Sequence, residues 1–272
     1  MKYLSLSLFL SLVYMTCGQQ TAEPVSTIPQ KEEIETMEYN PQYDFNQPIA
    51  SQELPKKLME ISALTLDGDG GLLAVQDENG SIFSIKGEEI EETTFHKDGD
   101  YEGIEKVGDD VWVVKNTGTL YQISGLGTMQ QKRKKHSNFL DQSYDIEGLC
   151  FDKKTNSLLL ACKAGENWDD EFRGIFRFDL KTEELDSIPY FKISLPAIRD
   201  EVKMSATTRK IESFRKFLEG QDGEMTFAPS AIAIHPITDE IYITSSKGKL
   251  LLICNRKGGI IHIEKLEKSV HR

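Results

Sequence analysis

The stretch "DYEGIEKVGDDVWVVKNTGTLYQI", residues 100–123, contains three short runs of strand-forming residues separated by two turns. β-Branched and aromatic residues dominate the second and third runs, as they do in β-strands. The first run instead begins with Glu102 and Gly103, and glycine weakens the interior of a strand. The stretch predicts three antiparallel strands and raises the question of why the first begins with a carboxylate and a glycine.

The same pattern occurs four times along the chain. In each copy a polar residue is followed by a small residue and then by an aliphatic run. The four polar residues are Ser62, Glu102, Glu147 and Ser230, and the four small residues are Ala63, Gly103, Gly148 and Ala231. The first two intervals between the polar residues are 40 and 45 residues, a repeat length typical of four-stranded propeller blades. The sequence therefore predicts an all-β fold, a β-propeller of about five blades with four recognisable here.

The third interval is longer and indicates an insertion. From Glu147 to Ser230 is 83 residues, which leaves room for one blade and an inserted segment at roughly 196–227. Within this segment "RKIESFRKFLEG" has apolar residues at helical spacing. This spacing predicts a short amphipathic helix that ends at Gly220.

The repeat length also bears on the last blade. Adding about 41 residues to Ser230 places the next inner strand close to the last residue of the sequence. We therefore expect an incomplete last blade, a truncated C-terminus and roughly 40 further residues after Arg272. In that case residues 43–54, which resemble an outer strand, lack most of their partners.

Composition narrows the possible partners and the cysteine chemistry. The net charge of −12 argues against a nucleic-acid partner, because binding a phosphate backbone requires a basic surface. The one basic cluster, "QKRKKH" at 131–136, is expected to be a solvated hairpin or loop. Cys150, Cys162 and Cys254 lie in apolar runs and are expected to be buried free thiols. A hairpin would place Cys150 opposite about residue 159 rather than opposite Cys162.

The N-terminus has the features of an export signal. Residues 4–16 form a mostly apolar run after Lys2, and this run is too short to span a bilayer, which takes about 20 residues. Cys17 follows, so we predict a lipoprotein signal peptide at 1–17 that ends at a lipidated cysteine. The alternative is an ordinary signal peptide with an incidental cysteine.

The rest of the chain divides into two parts. Residues 18–42 are polar with three prolines and are predicted to form a flexible tether. Residues 43–272 are predicted to form the propeller. We therefore expect a protein of the cell envelope, lipid-anchored to a bacterial membrane on its periplasmic or surface side.

The aligned repeats resemble the SdiA-regulated family of bacterial β-propeller proteins. The segments that carry the resemblance, in order, are "LPKKLMEISALTLDGDGGLLAVQDENGSIFSI", "DYEGIE", "DIEGLCFDKKTNSLLLACK" and "FAPSAIAIHPITDEIYITSSKGKLLLI". The lipoprotein form and the "YDFNQP" lead-in are similar to members from the Bacteroidetes group. Calcium-regulated propellers and, more distantly, phytase-like propellers are relatives of the family. The resemblance implies an exported or membrane-attached propeller of about five blades and no established catalytic reaction.

Polar residues recur in two kinds of loop that a propeller brings to one face. One kind leads into the innermost strand of a blade and the other joins its second and third strands. The residues of the first kind are Glu60, Asp100, Glu102, Asp145 and Glu147, and those of the second are Asp77, Asn116, Lys163 and Ser246. We expect the two sets to converge on the mouth of the central channel. The glycine after each glutamate would let inner strands approach closely, while the glutamate points at a shared site.

Carboxylates crowded at a channel mouth either take up protons or hold a cation. Oxygen ligands without histidine or cysteine suit a hard cation, and Ca²⁺ better than Mg²⁺. The expected metal ligands are Glu102, Glu147 and Asp77, and the expected ligand-binding residues are Glu60, Asp100, Asp145, Asn116, Lys163 and Ser246. The alternative remains open that these carboxylates are solvated or hold the ring through backbone N–H groups.

Two functions of different classes fit such a channel mouth. The first is a lipid-anchored propeller that binds a small ligand or a protein partner, with or without Ca²⁺. The second is a metal-dependent esterase, lactonase or phytase-like hydrolase. A G-x-S-x-G motif is absent from the sequence, so a serine hydrolase is not supported. Lys115 and Lys163 are the only polar catalytic candidates near the carboxylates, and we favour binding over catalysis.

The lipoprotein prediction is testable in cells. Stable anchoring requires two or more acyl chains, so Cys17→Ser should abolish both the labelling of the protein by a fatty-acid analogue and its recovery in the membrane fraction. Unchanged labelling and unchanged fractionation of Cys17→Ser would show that Cys17 is not the anchor.

Overall fold

Four antiparallel sheets follow one another along the chain, and each has the strand order of a propeller blade. The structure is a computed structural model that describes residues 43–45, 47–164, 171–204, 227–246 and 248–266. The blades belong to a unit that runs from Tyr39 to Arg272. In three of the four sheets every strand is hydrogen-bonded to the strands that precede and follow it in the chain, and in the remaining sheet, the third along the chain, the last two strands both pair with the same neighbour.

The blades are numbered in chain order. Blade 1 contains β1 (Ile61–Leu66), β2 (Leu72–Gln76), β3 (Ser81–Lys86) and β4 (Glu89–Thr94). Blade 2 contains β5 (Tyr101–Val107), β6 (Asp110–Lys115), β7 (Leu120–Ser124) and β8 (Lys132–His136). Blade 3 contains β9 (Ile146–Asp152), β10 (Ser157–Cys162), β11 (Phe172–Asp179), β12 (Glu184–Leu185) and β13 (Phe191–Ser194). Blade 4 contains β14 (Pro229–Ile234), β15 (Ile241–Ser245), β16 (Leu250–Cys254) and β17 (Ile260–Lys265).

Each inner strand carries a β-bulge at the same place. In β5, Tyr101 is opposite Lys115 and Gly103 is opposite Val114, so Glu102 between them has no partner in the ladder. The corresponding unpaired residues of the other inner strands are Ser62, Glu147 and Ser230. A bulge bends its strand and re-aims the side chain of the extra residue. The polar residue that recurs in the sequence is therefore the bulge residue of each blade.

The glycines that follow the bulges of blades 2 and 3 lie against the next inner strand. A Cβ atom on Gly103 would lie 2.7 Å from Leu149 Cβ, and one on Gly148 would lie 3.0 Å from the backbone nitrogen of Ile232. Both distances are shorter than ordinary van der Waals contact. The close approach of neighbouring blades therefore requires glycine here, which confirms the packing role predicted for it.

Blades 1 and 4 each present one face that no neighbouring blade covers among the described residues. The inner strands pack in the order β1, β5, β9 and β14, without comparable packing between β14 and β1 among the described residues. Leu64 of β1 is 51% exposed, whereas the equivalent Leu149 of β9 is 6% exposed. Ala231 is exposed, whereas Gly148 at the equivalent position is buried.

The segment before blade 1 contacts both of these blades. Phe45 packs against Tyr242 of blade 4, with ring centroids 6.0 Å apart. Gln52 Nε2 donates a hydrogen bond of 2.9 Å to the carbonyl of Gly87 in blade 1. Within the described part of residues 43–54 there is no strand, whereas the sequence suggested an outer strand in this segment.

The insertion after blade 3 begins with one helix, α1 (Leu195–Met204). Its apolar residues Leu195, Ile198 and Val202 are buried in the core between blades 3 and 4. The helix predicted to end at Gly220 lies outside the described residues. Of the helices described, none is long and apolar enough to cross a membrane.

Two simpler predictions are confirmed. Cys150, Cys162 and Cys254 are buried free thiols, and Cys150 is opposite Leu159 in the ladder. The basic cluster forms β8, the outermost strand of blade 2, with four of its five residues exposed.

The uncovered face of blade 1 can be tested by two equivalent substitutions. Leu149→Ala should lower the free energy of unfolding by about 2–5 kcal/mol, because it leaves a cavity between packed blades. Leu64→Ala should cost about 1 kcal/mol or less, because half of the side chain is already in water. Urea unfolding of both variants measures the difference, and equal losses would show that Leu64 is packed against another element.

Candidate functional site

The loops on one face of blades 1, 2 and 3 are joined by backbone hydrogen bonds. Tyr101 N donates to the carbonyl of Asp77 over 2.9 Å, and Ile146 N donates to that of Asn116 over 2.9 Å. Asn116 N in turn donates to the carbonyl of Asp100 over 3.1 Å. In blades 1, 2 and 3 the loop after the second strand of one blade therefore lies beside the start of the next inner strand.

Glu102 lies at the centre of this group. Burial, and then the negative charges of Glu147 and Asp77, raise the pKa of Glu102 to about 7. Its carboxylate makes no hydrogen bond or ion pair with any described residue. Glu102 therefore holds its proton near neutral pH because its surroundings disfavour the charged form.

Lys163 neutralises the neighbouring carboxylates. Its Nζ donates a hydrogen bond of 2.6 Å to Glu147 Oε1 and lies 3.4 Å from Asp145 Oδ2. Burial alone would lower the pKa of Lys163, but Glu147 and Asp145 raise it above its ordinary value. The lysine is thus a cation supplied by the protein itself among the carboxylates that act on Glu102.

Two buried acceptor atoms in these loops receive no hydrogen bond from any described residue. They are Asp77 Oδ1 and Asn116 Oδ1. The amide nitrogen of Asn116 donates to Asp100 Oδ2 over 3.0 Å, and a flipped amide would place its oxygen against that carboxylate. The orientation of Asn116 is therefore fixed. Buried acceptors without donors are uncommon in proteins and require an explanation.

Glu105, on the same strand as Glu102, shows what a structural carboxylate looks like in this protein. Its two oxygens accept hydrogen bonds from the hydroxyl of Thr65 (2.7 Å) and from the backbone nitrogens of Lys106 (3.0 Å) and Phe151 (3.1 Å). Burial raises the pKa of Glu105 as well, but its contacts tie blades 1, 2 and 3 together. Glu102 has no such contacts, and a purely structural role does not account for it.

The remaining predicted residues lie apart from this group. Glu60 is exposed just before β1 and is not among the charges that act on Glu102. Ser246 is exposed, and its backbone nitrogen donates to Ser230 Oγ over 3.1 Å. The group at the mouth therefore draws on blades 1, 2 and 3: Asp77, Asp100, Glu102, Asn116, Asp145, Glu147 and Lys163.

Sequence reasoning missed two sets of residues. One is the structural carboxylates, Glu105 and the almost fully buried Asp152, which pairs with Arg256 of blade 4. The other is the basic side chains of β8. The sequence did contain a signal for the second set. Side chains two residues apart in a strand lie on the same face, so Arg133 and Lys135 share one face of β8.

No protein-family model matches the chain, and no curated protein matches it. Among solved structures, virginiamycin B lyase from Staphylococcus aureus is similar, with 16% identity and a TM-score of 0.45, over 78% of this chain and 57% of that one. A Bacteroides thetaiotaomicron protein of unknown function is similar, with 12% identity and a TM-score of 0.45, over 74% of this chain and 42% of that one. The matched regions span less than two thirds of either solved chain. The assignment of the fold rests on the four sheets themselves.

The raised pKa of Glu102 predicts how stability changes with pH. The folded state binds the Glu102 proton more tightly than the unfolded state, in which the pKa is about 4.3. The contribution of Glu102 to stability is therefore present below that value and is lost as pH rises towards 7. Glu102→Gln should gain stability relative to the wild type as pH rises from 5 to 8.

Urea unfolding at several pH values measures this difference. Glu78→Gln is the matched control, because Glu78 is an exposed glutamate in the loop that follows Asp77. If the stability difference between Glu102→Gln and the wild type does not change with pH, Glu102 is an ordinary exposed carboxylate.

Proposed function

We propose that this protein is a binding module whose channel mouth takes a cationic, hydrogen-bond-donating group of a small ligand or protein partner. The observation that carries the proposal is a pair of buried acceptors, Asp77 Oδ1 and Asn116 Oδ1, that receive no hydrogen bond from any described residue; Asp77 is also one of the charges that act on Glu102. A bound ammonium or guanidinium group would supply the missing donors. It would also favour the charged form of Glu102.

The charge balance supports a cationic ligand over an anionic one. Glu102, Glu147, Asp77 and Asp145 lie within electrostatic range of one another, and Lys163 is the only cation among the groups that act on Glu102. An anionic ligand would add to this repulsion, whereas a cation would relieve it.

Ca²⁺ is the second candidate occupant of the mouth. As the side chains now lie, the described residues contain no group of three His, Cys, Asp or Glu side chains that could hold a metal ion. The ammonium of Lys163 instead lies between Glu147 and Asp145. Ca²⁺ binding by Glu102, Glu147 and Asp77 would therefore require Lys163 to move aside.

The hydrolase alternative receives no support from this geometry. A metal-dependent esterase or lactonase needs several ligands arranged around a metal with an open coordination position. The described residues at the mouth are arranged around a lysine instead. We therefore propose binding rather than catalysis, in a protein similar to the SdiA-regulated propellers and anchored to the cell envelope through Cys17.

The proposed cation site can be tested with two probes, putrescine and Ca²⁺. At least one of them should raise the melting temperature of the wild type in calorimetry, since a ligand at 100 times its Kd adds about 2.7 kcal/mol. Glu102→Gln should remove that rise, because it removes one of the negative charges that hold the cation. If neither probe stabilises the wild type, with EDTA as the reference for Ca²⁺, the proposal is wrong.

Lys163→Met tests the role of the lysine as the resident cation. Removing its ammonium leaves Glu147 and Asp145 without a partner, so Ca²⁺ should stabilise this variant more than it stabilises the wild type. Lys154→Met is the matched control, because Lys154 also pairs with a carboxylate, Asp239, at 2.9 Å but outside the mouth. Equal effects of Ca²⁺ on both variants would indicate non-specific binding.

A further inference from the structure

A basic pocket lies between blades 1 and 2, in a chain whose net charge is −12. Its basic lining residues are His96, Lys97, Lys115, Arg133 and Lys135, and its volume is about 480 Å³. The hydroxyl groups of Thr117, Thr119 and Tyr121 complete the lining. Pockets of roughly 300–1,000 Å³ are the usual size for small-molecule sites.

The cations of this pocket have no carboxylate partners among the described residues. Elsewhere in the protein basic side chains do pair with carboxylates, as Lys106 does with Asp67 at 2.7 Å and Arg177 with Asp186 at 2.8 Å. None of Lys97, Lys115 and Lys135 forms an ion pair with a described residue. Their positive charge is therefore not neutralised by an ion pair within the part of the chain that the structure describes.

Arg133 and Lys115 are held in place by contacts that leave their charge available. The Arg133 guanidinium donates to the carbonyl of Phe95 over 2.6 Å and lies over the ring of Tyr121, 5.8 Å from its centroid. The Lys115 ammonium lies over the ring of Tyr101, 5.6 Å from its centroid. Ordered cations lose less conformational entropy when they bind an anion than freely moving ones.

His96 shows that the cations are close enough to act on one another. Burial, followed by the positive charges of Arg133, Lys97 and Lys115, lowers the pKa of His96. Its ring packs against that of Tyr121, with centroids 4.9 Å apart. A group of cations that repel one another is relieved by an anion bound among them.

We propose that this pocket binds a small, polar organic phosphate. A phosphate group fits the Arg133 guanidinium and the lysine ammonium groups, because charge-assisted hydrogen bonds to these donors are strong. The rest of the pocket, lined by the hydroxyls of Thr117 and Thr119, suits a hydroxylated organic part. The site is separate from the acidic channel mouth and does not depend on the function proposed for that mouth.

Calorimetric titration with glycerol 3-phosphate tests the site, with glycerol and sodium chloride of equal ionic strength as references. Lys135→Gln should weaken glycerol 3-phosphate binding about tenfold, the effect of losing one charge-assisted hydrogen bond. The fold should be unaffected, because the Lys135 side chain is exposed and makes no hydrogen bond with a described residue.

Lys134→Gln is the matched control. Lys134 is the adjacent residue of β8, carries the same charge and points to the opposite face, where it pairs with Glu183. The Lys134→Gln substitution should leave the affinity for glycerol 3-phosphate unchanged. Absence of binding to the wild type, or equal weakening in Lys134→Gln and Lys135→Gln, would overturn the proposal.

Discussion

One extra residue in each inner strand determines where the polar side chains of this protein lie. The bulge residues have no partner in their ladders; they are Ser62, Glu102, Glu147 and Ser230. In a regular strand successive side chains alternate between the two faces of the sheet, and a bulge residue is not restricted to this alternation. The glycine after a bulge brings the neighbouring inner strand close. Polar bulge residues of adjacent blades are thereby brought within electrostatic range of each other, and two of them are glutamates.

The carboxylates of Glu102 and Glu147, the bulge residues of adjacent blades, repel each other, and the protein neutralises only one of them. Lys163 pairs with Glu147, whereas Glu102 has no partner among the described residues, and the pKa of its carboxyl is raised to about 7. Glu105, three residues further along the same strand, is fully hydrogen-bonded. The contrast separates carboxylates that hold blades together from one that makes no hydrogen bond with a described residue. Ionisable side chains with strongly shifted pKa values, such as Glu102, are concentrated at functional sites.

The repeat interval, the polar residue and the following glycine could all be read from the sequence, because a blade repeats its local chemistry. The blades, the buried thiols and the register opposite Cys150 follow from strand periodicity. The bulge could not be predicted, because it depends on which residues of the second strand pair with the first. The pairing of Lys163 with Glu147 and the basic pocket were missed for a related reason. Lys135 is 39 residues from His96, and only the packing of blade 2 on blade 1 brings them together.

The most direct test of this account is the pKa of the Glu102 side chain, measured by carbon-13 NMR on protein labelled in its glutamate carboxyl groups. The Glu102→Gln spectrum assigns the resonance. The account predicts a titration midpoint for Glu102 near 7 that falls in Glu147→Gln, because this substitution removes a neighbouring negative charge. A midpoint near the ordinary glutamate value of about 4.3, unchanged in Glu147→Gln, would contradict the claim that the bulges bring these carboxylates together.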